Sequence, residues 1–282
     1  MTGPVTGPVA GPVDPLGPSG LPVGDLHSTE PPTVDFPVPE SALAVGAHPD
    51  DVEFGCGATL ARWADAGCRV HVVVLTDGSK GTWDPGRRPS DLAAERMAEC
   101  RDAVAVVTGS PADDNDDRIH FLDRVDGELV DGPDERRDLC RVVRTVRPAV
   151  VLTHDPWRRY RLHPDHRAAG FVTVGALVAA RDPHFFPGVG PSTHRPDALL
   201  LWEPDVVNHV ETATGYEGRK VDALLCHRSQ HETTLGIAAE GGADDDDAGV
   251  GRFRRMVDHQ LAAHGAVVGA ARGEAFHLLR DL

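Results

Sequence analysis

Apolar residues fall along the chain in two alternating kinds of run, and their order predicts a layered α/β fold. Ala42 to Ala47 is a short, almost uninterrupted apolar stretch of the kind a strand buried on both faces shows. Ala58 to Ala66 ("ATLARWADA") reads as the helix that follows, ended by Gly67 at a C′ position, and Arg69 to Thr76 ("RVHVVVLT") as the next strand. The alternation continues with a helix near Leu92 to Val106, a strand at Ile119 to Leu122, a helix from Glu135 to Arg147 and a strand at Ala149 to Thr153. A helix from about Arg167 to Ala180 comes next, then strands at Asp197 to Trp202 and Val206 to Glu211, then helices at Lys220 to His227 and Arg252 to His264. Strand–helix alternation of this kind builds a mostly parallel sheet with helices on both faces, and ligands bind at the carboxyl ends of its strands.

The first forty residues break the pattern. "MTGPVTGPVAGPVDPLGPSGLPVGD" repeats Gly-Pro-Val three times and has no basic residue before an apolar core, so it is not read as a secretory signal. Glycine raises the ordering cost and proline removes backbone donors, so a disordered or extended tail is expected to about Pro37, with residues 1–40 as tail and 41–282 as one folded domain. The acidic stretch Glu240 to Gly249, with four consecutive aspartates, reads as a solvated loop, a calcium site being the remote alternative.

Composition narrows the function classes. The net charge of −16 over 282 residues repels polyanions, and no basic stripe offsets it, so no nucleic-acid partner is expected. Five widely spaced cysteines without a C-x-x-C pair argue against a disulfide framework or zinc knuckle and suit a reducing cytoplasm. No apolar run approaches the ~20 residues that span a bilayer. "FGCGATLA" supplies only part of a dinucleotide fingerprint.

The chemistry is concentrated in two loops. "AHPDD" puts His48, Asp50 and Asp51 at the end of the first strand, and "HPDH" puts His163, Asp165 and His166 after the strand at Ala149 to Thr153. Parallel strands place both loops on one edge. Imidazole and carboxylate donors suit a divalent ion such as zinc, whose catalytic sites use three protein ligands and keep one position open. Each cluster alone has a plain structural explanation, since a strand-terminal Asp often caps the next helix. Together at one edge they point to a metal hydrolase, with the choice of ligands among the six left open.

The stretch "AHPDDVEFGCGATLARWADAG" with the distal "HPDH" resembles the LmbE-like (PIG-L) family of zinc-dependent N-acetylglucosaminyl deacetylases. The resemblance runs on through "LTDGSKGTWD", "ERMAEC" and "ALLCHRSQ", and so covers most of the chain after residue 41. The family pattern A-H-P-D-D-E is varied here, with Val52 after the second Asp and Glu53 one place later. The resemblance implies a Rossmann-like fold and a bound Zn2+, with Fe2+ or another divalent ion as a substitute. It implies His48, Asp51 and His166 as ligands, Asp50 as general base, His163 polarising the amide, and Asp165 orienting its ring. It also implies that Arg96 and Asp126 face an amino-sugar substrate, although Arg96 with Glu99 has the spacing of a helical surface pair. Some members carry a tyrosine two places before HPDH; here that residue is Arg161, and Tyr160 stands three before.

Arg158, Arg159 and Arg161 are further candidates for meeting a phosphate or carboxylate on the substrate. His227 and His231 have the spacing of a second metal pair, or of a hydrogen-bonding H-x-S-Q element, and Cys56 reads as a packing residue. The expected activity is hydrolysis of an N-acetyl group on an amino-sugar derivative; cleavage of a larger sugar-linked amide such as a thiol conjugate, or a non-catalytic Rossmann-like binding role, are the competing readings. The oligomeric state is open at this stage.

Overall fold

Strands buried from both sides explain why the predicted strands are continuous apolar runs. In β2 (Ser41–Gly46), Ala42 and Ala44 enter one hydrophobic cluster and Leu43 and Val45 another, on the opposite face. β3 (Arg69–Thr76) divides the same way, Val70, Val72 and Val74 against Val73 and Leu75. The period of two is present, but both phases are apolar because helices cover both faces.

The computed structural model describes residues 30–112, 116–237 and 243–282. Besides β2 and β3, its eight-stranded sheet contains β1 (Thr33–Val34), β4 (Ile119–Arg124), β5 (Val150–His154), β6 (Ala198–Trp202), β7 (His209–Thr212) and β8 (Gly273–Arg280). The order is β1-β7-β8-β6-β5-β2-β3-β4. Every ladder is parallel except those of β8, which runs antiparallel between β6 and β7. The helices are α1 (Asp51–Asp65), α2 (Pro89–Thr108), α3 (Pro133–Val146), α4 (Pro164–Arg181), α5 (Glu217–Leu224) and α6 (Ala243–Ala266). Residues of α1 and α2 pack in the first cluster and those of α3 and α4 in the second, while Val221, Leu224, Phe253, Val257 and Leu261 join α5 and α6 in a third.

The expected α/β class is therefore observed, with several corrections to its parts. β1 joins β7, and Asp35 accepts hydrogen bonds from Thr212, so the folded unit begins at Pro31 rather than at Ser41. Residues 1–29 lie outside the described residues, as do 240–242 of the acidic stretch. From Ala243 that stretch is the first turns of α6 and not a loop. β8 was not anticipated from the sequence.

Helices α1 and α4 begin earlier than periodicity predicts, and this places the site. Each opens within a His-Pro-Asp motif: Asp50 is the N-cap position and Asp51 the first residue of α1, while His163 caps α4 and Pro164 is its first residue. Proline at the first helical position loses no intrahelical bond, and acidic residues there meet the helix dipole. α1 is broken at Cys56 (φ −149°, ψ 20°), so the predicted Ala58 start is the start of its second limb. Gly55 permits this approach, because a Cβ there would stand 2.4 Å from the buried Trp202 ring.

Candidate active site

β2 and β5 are adjacent and parallel, so the loops leaving them share one edge of the sheet. There they line a cavity of about 560 Å³ with His48, Asp50, Asp51, Arg96, Asp126, His154, His163 and His166 in its wall. Both predicted clusters are thus brought together, and of the eight predicted site residues only Asp165 is outside the wall, directly behind it.

Asp51 is the hub. One carboxylate oxygen lies 3.3 Å from His48 Nδ1 and 3.2 Å from His154 Nε2, and the other lies 3.2 Å from His166 Nε2. The same carboxylate accepts the His48 backbone N–H at 2.7 Å, which ties the motif into a tight turn. Burial opposes its charge, but His166 and His154 hold its pKa well below the ordinary carboxylate range. His154 ends β5; the sequence offers it only as a substitute ligand should His166 not bind, and its place at the carboxyl end of the strand next to β2 brings it to Asp51 directly. Its ring is fixed by Trp202, whose indole N–H donates to Nδ1 at 3.0 Å.

Asp50 faces a different partner from its neighbour. Its backbone is strained for a residue with a Cβ (φ 125°), and its carboxylate lies 3.4 Å from Arg96 Nη2. Burial raises its pKa, against the pull of Arg96 and with the push of Asp51. Arg96 is buried and also donates to the Pro49 and Gly78 carbonyls, while Glu99 accepts from Ser229, so the surface pairing of Arg96 with Glu99 is overturned.

His48 Nε2 lies 3.2 Å from both Asp126 and Asp165. Burial alone would lower its pKa, but hydrogen bonds to Asp126, Asp165 and Asp51 raise it well above the ordinary imidazole value. Asp126, whose other oxygen accepts from Lys80 N at 3.1 Å, is brought down to about 2, with burial outweighed by its hydrogen bond to His48. Asp165 accepts from Gly127 N and Leu129 N at 2.6 and 3.2 Å. Its carboxylate therefore orients His48 and not the His163 ring. His163 is contacted instead by the Asp165 backbone N–H, which donates to Nδ1 at 3.3 Å. Burial, then the charges of His48 and His166, lower the pKa of His163.

The donor set fits a divalent cation. Three groups of donor atoms lie within 4.8 Å of one another: His48, His163 and His166; Asp51, His154 and His166; and His48, Asp126 and Asp165. Imidazole nitrogen with carboxylate oxygen is the set expected for zinc or iron. The predicted trio is split between these groups, His48 with His166 in one and Asp51 with His166 in another, while His48 Nδ1 lies 3.3 Å from Asp51. His166 Nδ1 is buried without a hydrogen-bond partner.

Other candidates resolve differently. Tyr160 is 91% exposed, whereas Arg161 lines the cavity. His227 is buried with Nε2 3.4 Å from Glu53, and His231 is directed at the Leu225 carbonyl at 3.2 Å, so they form no second metal pair. Cys56 packs in the core as expected.

Residues 43–177 match the family described as PIG-L, GlcNAc-PI de-N-acetylase. Diacetylchitobiose deacetylase of Thermococcus kodakarensis is 34% identical over 205 residues, covering 68% of this chain and 70% of the relative. The chain belongs to the PIG-L family. Another relative, a 1D-myo-inositol 2-acetamido-2-deoxy-alpha-D-glucopyranoside deacetylase of Saccharopolyspora erythraea, is 29% identical, covering 68% of this chain and 79% of its own length. Among solved structures, N,N'-diacetylchitobiose deacetylase from Pyrococcus horikoshii superimposes with a TM-score of 0.72 at 26% identity, covering 86% of this chain and 84% of that one. In this PIG-L chain no helix among the described residues is long and apolar enough to cross a membrane.

Proposed function

We propose that this PIG-L protein is a metal-dependent hydrolase that removes the N-acetyl group from an amino-sugar derivative. The observation that carries the reading is Asp51: one carboxylate set among three imidazoles, beside a second carboxylate, Asp50, that is held by an arginine. His48, Asp51 and His166 would hold the ion, zinc in the first instance, with His154, which shares a donor group with Asp51 and His166, able to take the place of His48. Such an ion, when bound, acidifies a coordinated water and polarises the amide carbonyl.

Asp50 is the proton acceptor for the attacking water. Its burial raises its basicity, and Arg96 keeps the carboxylate aimed at the cavity. His163, with its pKa lowered and Nδ1 engaged as an acceptor, is neutral with its proton on Nε2; it donates from there to the amide oxygen as negative charge develops. Asp126 and Asp165 hold the His48 ring from the side opposite Asp51. Asp126 also lines the cavity, where it accepts a sugar hydroxyl. The PIG-L relatives support the acetamido-sugar assignment through the substrates in their names.

The test is acetate release from N-acetylglucosamine, N,N'-diacetylchitobiose and an N-acetylglucosaminyl-inositol, using chelator-treated enzyme reloaded with zinc or iron. Metal-dependent release from one of them is expected. Release that survives chelation, or none from any of the three with metal bound, would overturn it.

A further inference from the structure

Gln230 lines the cavity, yet it has nothing left to offer a substrate. It ends the short 3-10 turn Arg228–Gln230, is buried, and spends its whole amide within the chain. Nε2 donates to the Gly81 carbonyl at 3.0 Å and to Ser229 Oγ at 3.2 Å, while Oε1 accepts from Thr233 Oγ1 at 3.2 Å and Thr234 Oγ1 at 3.3 Å. Two N–H groups and two lone pairs are all that a glutamine amide has. Ser229 is fastened in turn to α2, its backbone N–H and hydroxyl donating to Glu99 at 2.8 and 2.6 Å. Glu99 follows Arg96 by three residues on that helix, so the two side chains share a face and Gln230 is anchored in the same frame as Arg96.

What Gln230 holds is the loop between β3 and α2, and that loop lies directly against the Arg96 guanidinium. A Cβ at Gly78 would stand 2.8 Å from Arg96 Nη1 and 2.9 Å from Cζ, and a Cβ at Gly81 would stand 2.5 Å from Nη1. Both glycines are therefore required for the close approach, and Gly78 also has a φ of +64°. Arg96 Nη1 donates to the Gly78 carbonyl at 3.0 Å and Nη2 to the Pro49 carbonyl at 2.7 Å, with Asp50 3.4 Å from Nη2. Nε is buried without a hydrogen-bond partner, so the tilt of the guanidinium is set by the backbone packed on it and not by a bond at Nε. Gln230, the glycine loop, Arg96 and Asp50 form one connected series.

We propose that Gln230 and Gly81 are positioning residues for Asp50: Gln230 holds the Gly78–Gly81 loop against Arg96, and the loop keeps the guanidinium at the Asp50 carboxylate. The proposal rests on the reading of Asp50 as proton acceptor given above. Neither residue needs to touch substrate for this. A guanidinium pushed aside, or a loop released from it, leaves the Asp50 carboxylate without the cation that aims it, and misplacing a reacting group by about 1 Å can cost about 10²-fold in rate.

The experiment measures kcat and KM for acetate release from the preferred of the three substrates above, with metal content and melting temperature, for zinc-loaded wild type, Gly81→Ala, Gln230→Met and Gly218→Ala. Gln230→Met keeps the side-chain volume and loses the hydrogen bonds, and Gly218, whose Cβ would meet open space, is the neutral glycine substitution. Gly81→Ala and Gln230→Met should each lower kcat about 10–100-fold, with KM within about threefold of wild type and metal content unchanged. In an Asp50→Asn background neither should lower kcat further, because the group they position is gone, whereas general damage to the fold would lower it again. Wild-type kcat in both variants, loss of metal, a rise in KM at constant kcat, or a further fall in the Asp50→Asn background would each overturn the proposal. No metal-dependent release by wild type, or an Asp50→Asn variant as fast as wild type, would instead overturn the reading beneath it.

Discussion

Removal of the Glu274 carboxylate should be among the most damaging single changes outside the active site. Glu274, in β8, is buried and accepts four hydrogen bonds: from Ala58 N at 3.1 Å, Thr59 N at 2.7 Å, Thr59 Oγ1 at 2.6 Å and Lys220 Nζ at 2.6 Å. It caps the second limb of α1 where that helix restarts after Cys56, and it neutralises an equally buried lysine. Glu274→Leu leaves the ammonium unpaired, at about 3–5 kcal/mol, and bares two backbone N–H groups, at about 1–3 kcal/mol each. These terms share one small space and overlap, so about 4–6 kcal/mol is expected in total, a large part of the ~5–15 kcal/mol that holds a domain folded. Lys220→Met in the same chain removes the stranded charge, and the double variant should be more stable than Glu274→Leu alone. Urea unfolding of the two single variants and the double variant measures this. A loss below about 1 kcal/mol for Glu274→Leu, or a double variant as unstable as the two singles added together, would refute the reasoning.

Four further outcomes are expected. Asp50→Asn keeps shape but not basicity, so turnover should fall on the order of 10²–10⁴ while metal content, read by elemental analysis, stays at the wild-type level. His166→Ala should lose metal and activity together; in a melting experiment, zinc at about 100 times its Kd should stabilise wild type by about 2.7 kcal/mol and leave the variant unmoved. In metal-free protein, Asp126 has its folded pKa depressed to about 2, so its contribution to stability is complete above the ordinary carboxylate value and is lost as pH falls through about 2. Melting curves between about pH 5 and 2.5 should therefore fall less steeply for Asp126→Asn than for wild type. Deleting residues 30–40 removes β1 and the Asp35–Thr212 and Phe36–Glu211 contacts, and should lower the melting temperature without touching the cavity wall.

What the sequence disclosed depended on whether a residue's environment was written in its neighbours. The parallel strands were legible because a strand covered on both faces admits little but Val, Leu and Ala. The His-Pro-Asp loops were legible as chemistry but misread as backbone: proline and aspartate look like turn residues, yet both open helices here, so α1 and α4 begin before their apolar periodicity does. β8 was hidden because one of its buried positions is Glu274, whose burial makes sense only with Lys220 beside it. β1, two residues among prolines, carries no pattern at all. At the site, Asp165 was recognised, but its target was not, since orientation across 117 positions of chain, to His48, is a property of the fold alone. His154 lacked a motif, and only the register of β5 against β2 gives it meaning.

The antiparallel insertion of β8 also bears on how the chain reaches its native state. β7 and β1 are joined to the rest of the sheet only through β8, because the order places β8 between them and β6. A growing chain can therefore assemble the ladder from β6 to β4, with both His-Pro-Asp loops, before residues 273–280 arrive, but the β1–β7 pair stays detached from that ladder until they do. Closing that gap brings β8 beside strands made more than sixty positions earlier, the kind of long-range pairing that slows folding and leaves strand edges open to other chains meanwhile. Refolding should accordingly be biphasic, with the slow phase belonging to the edge that β8 completes and not to the half that carries the chemistry.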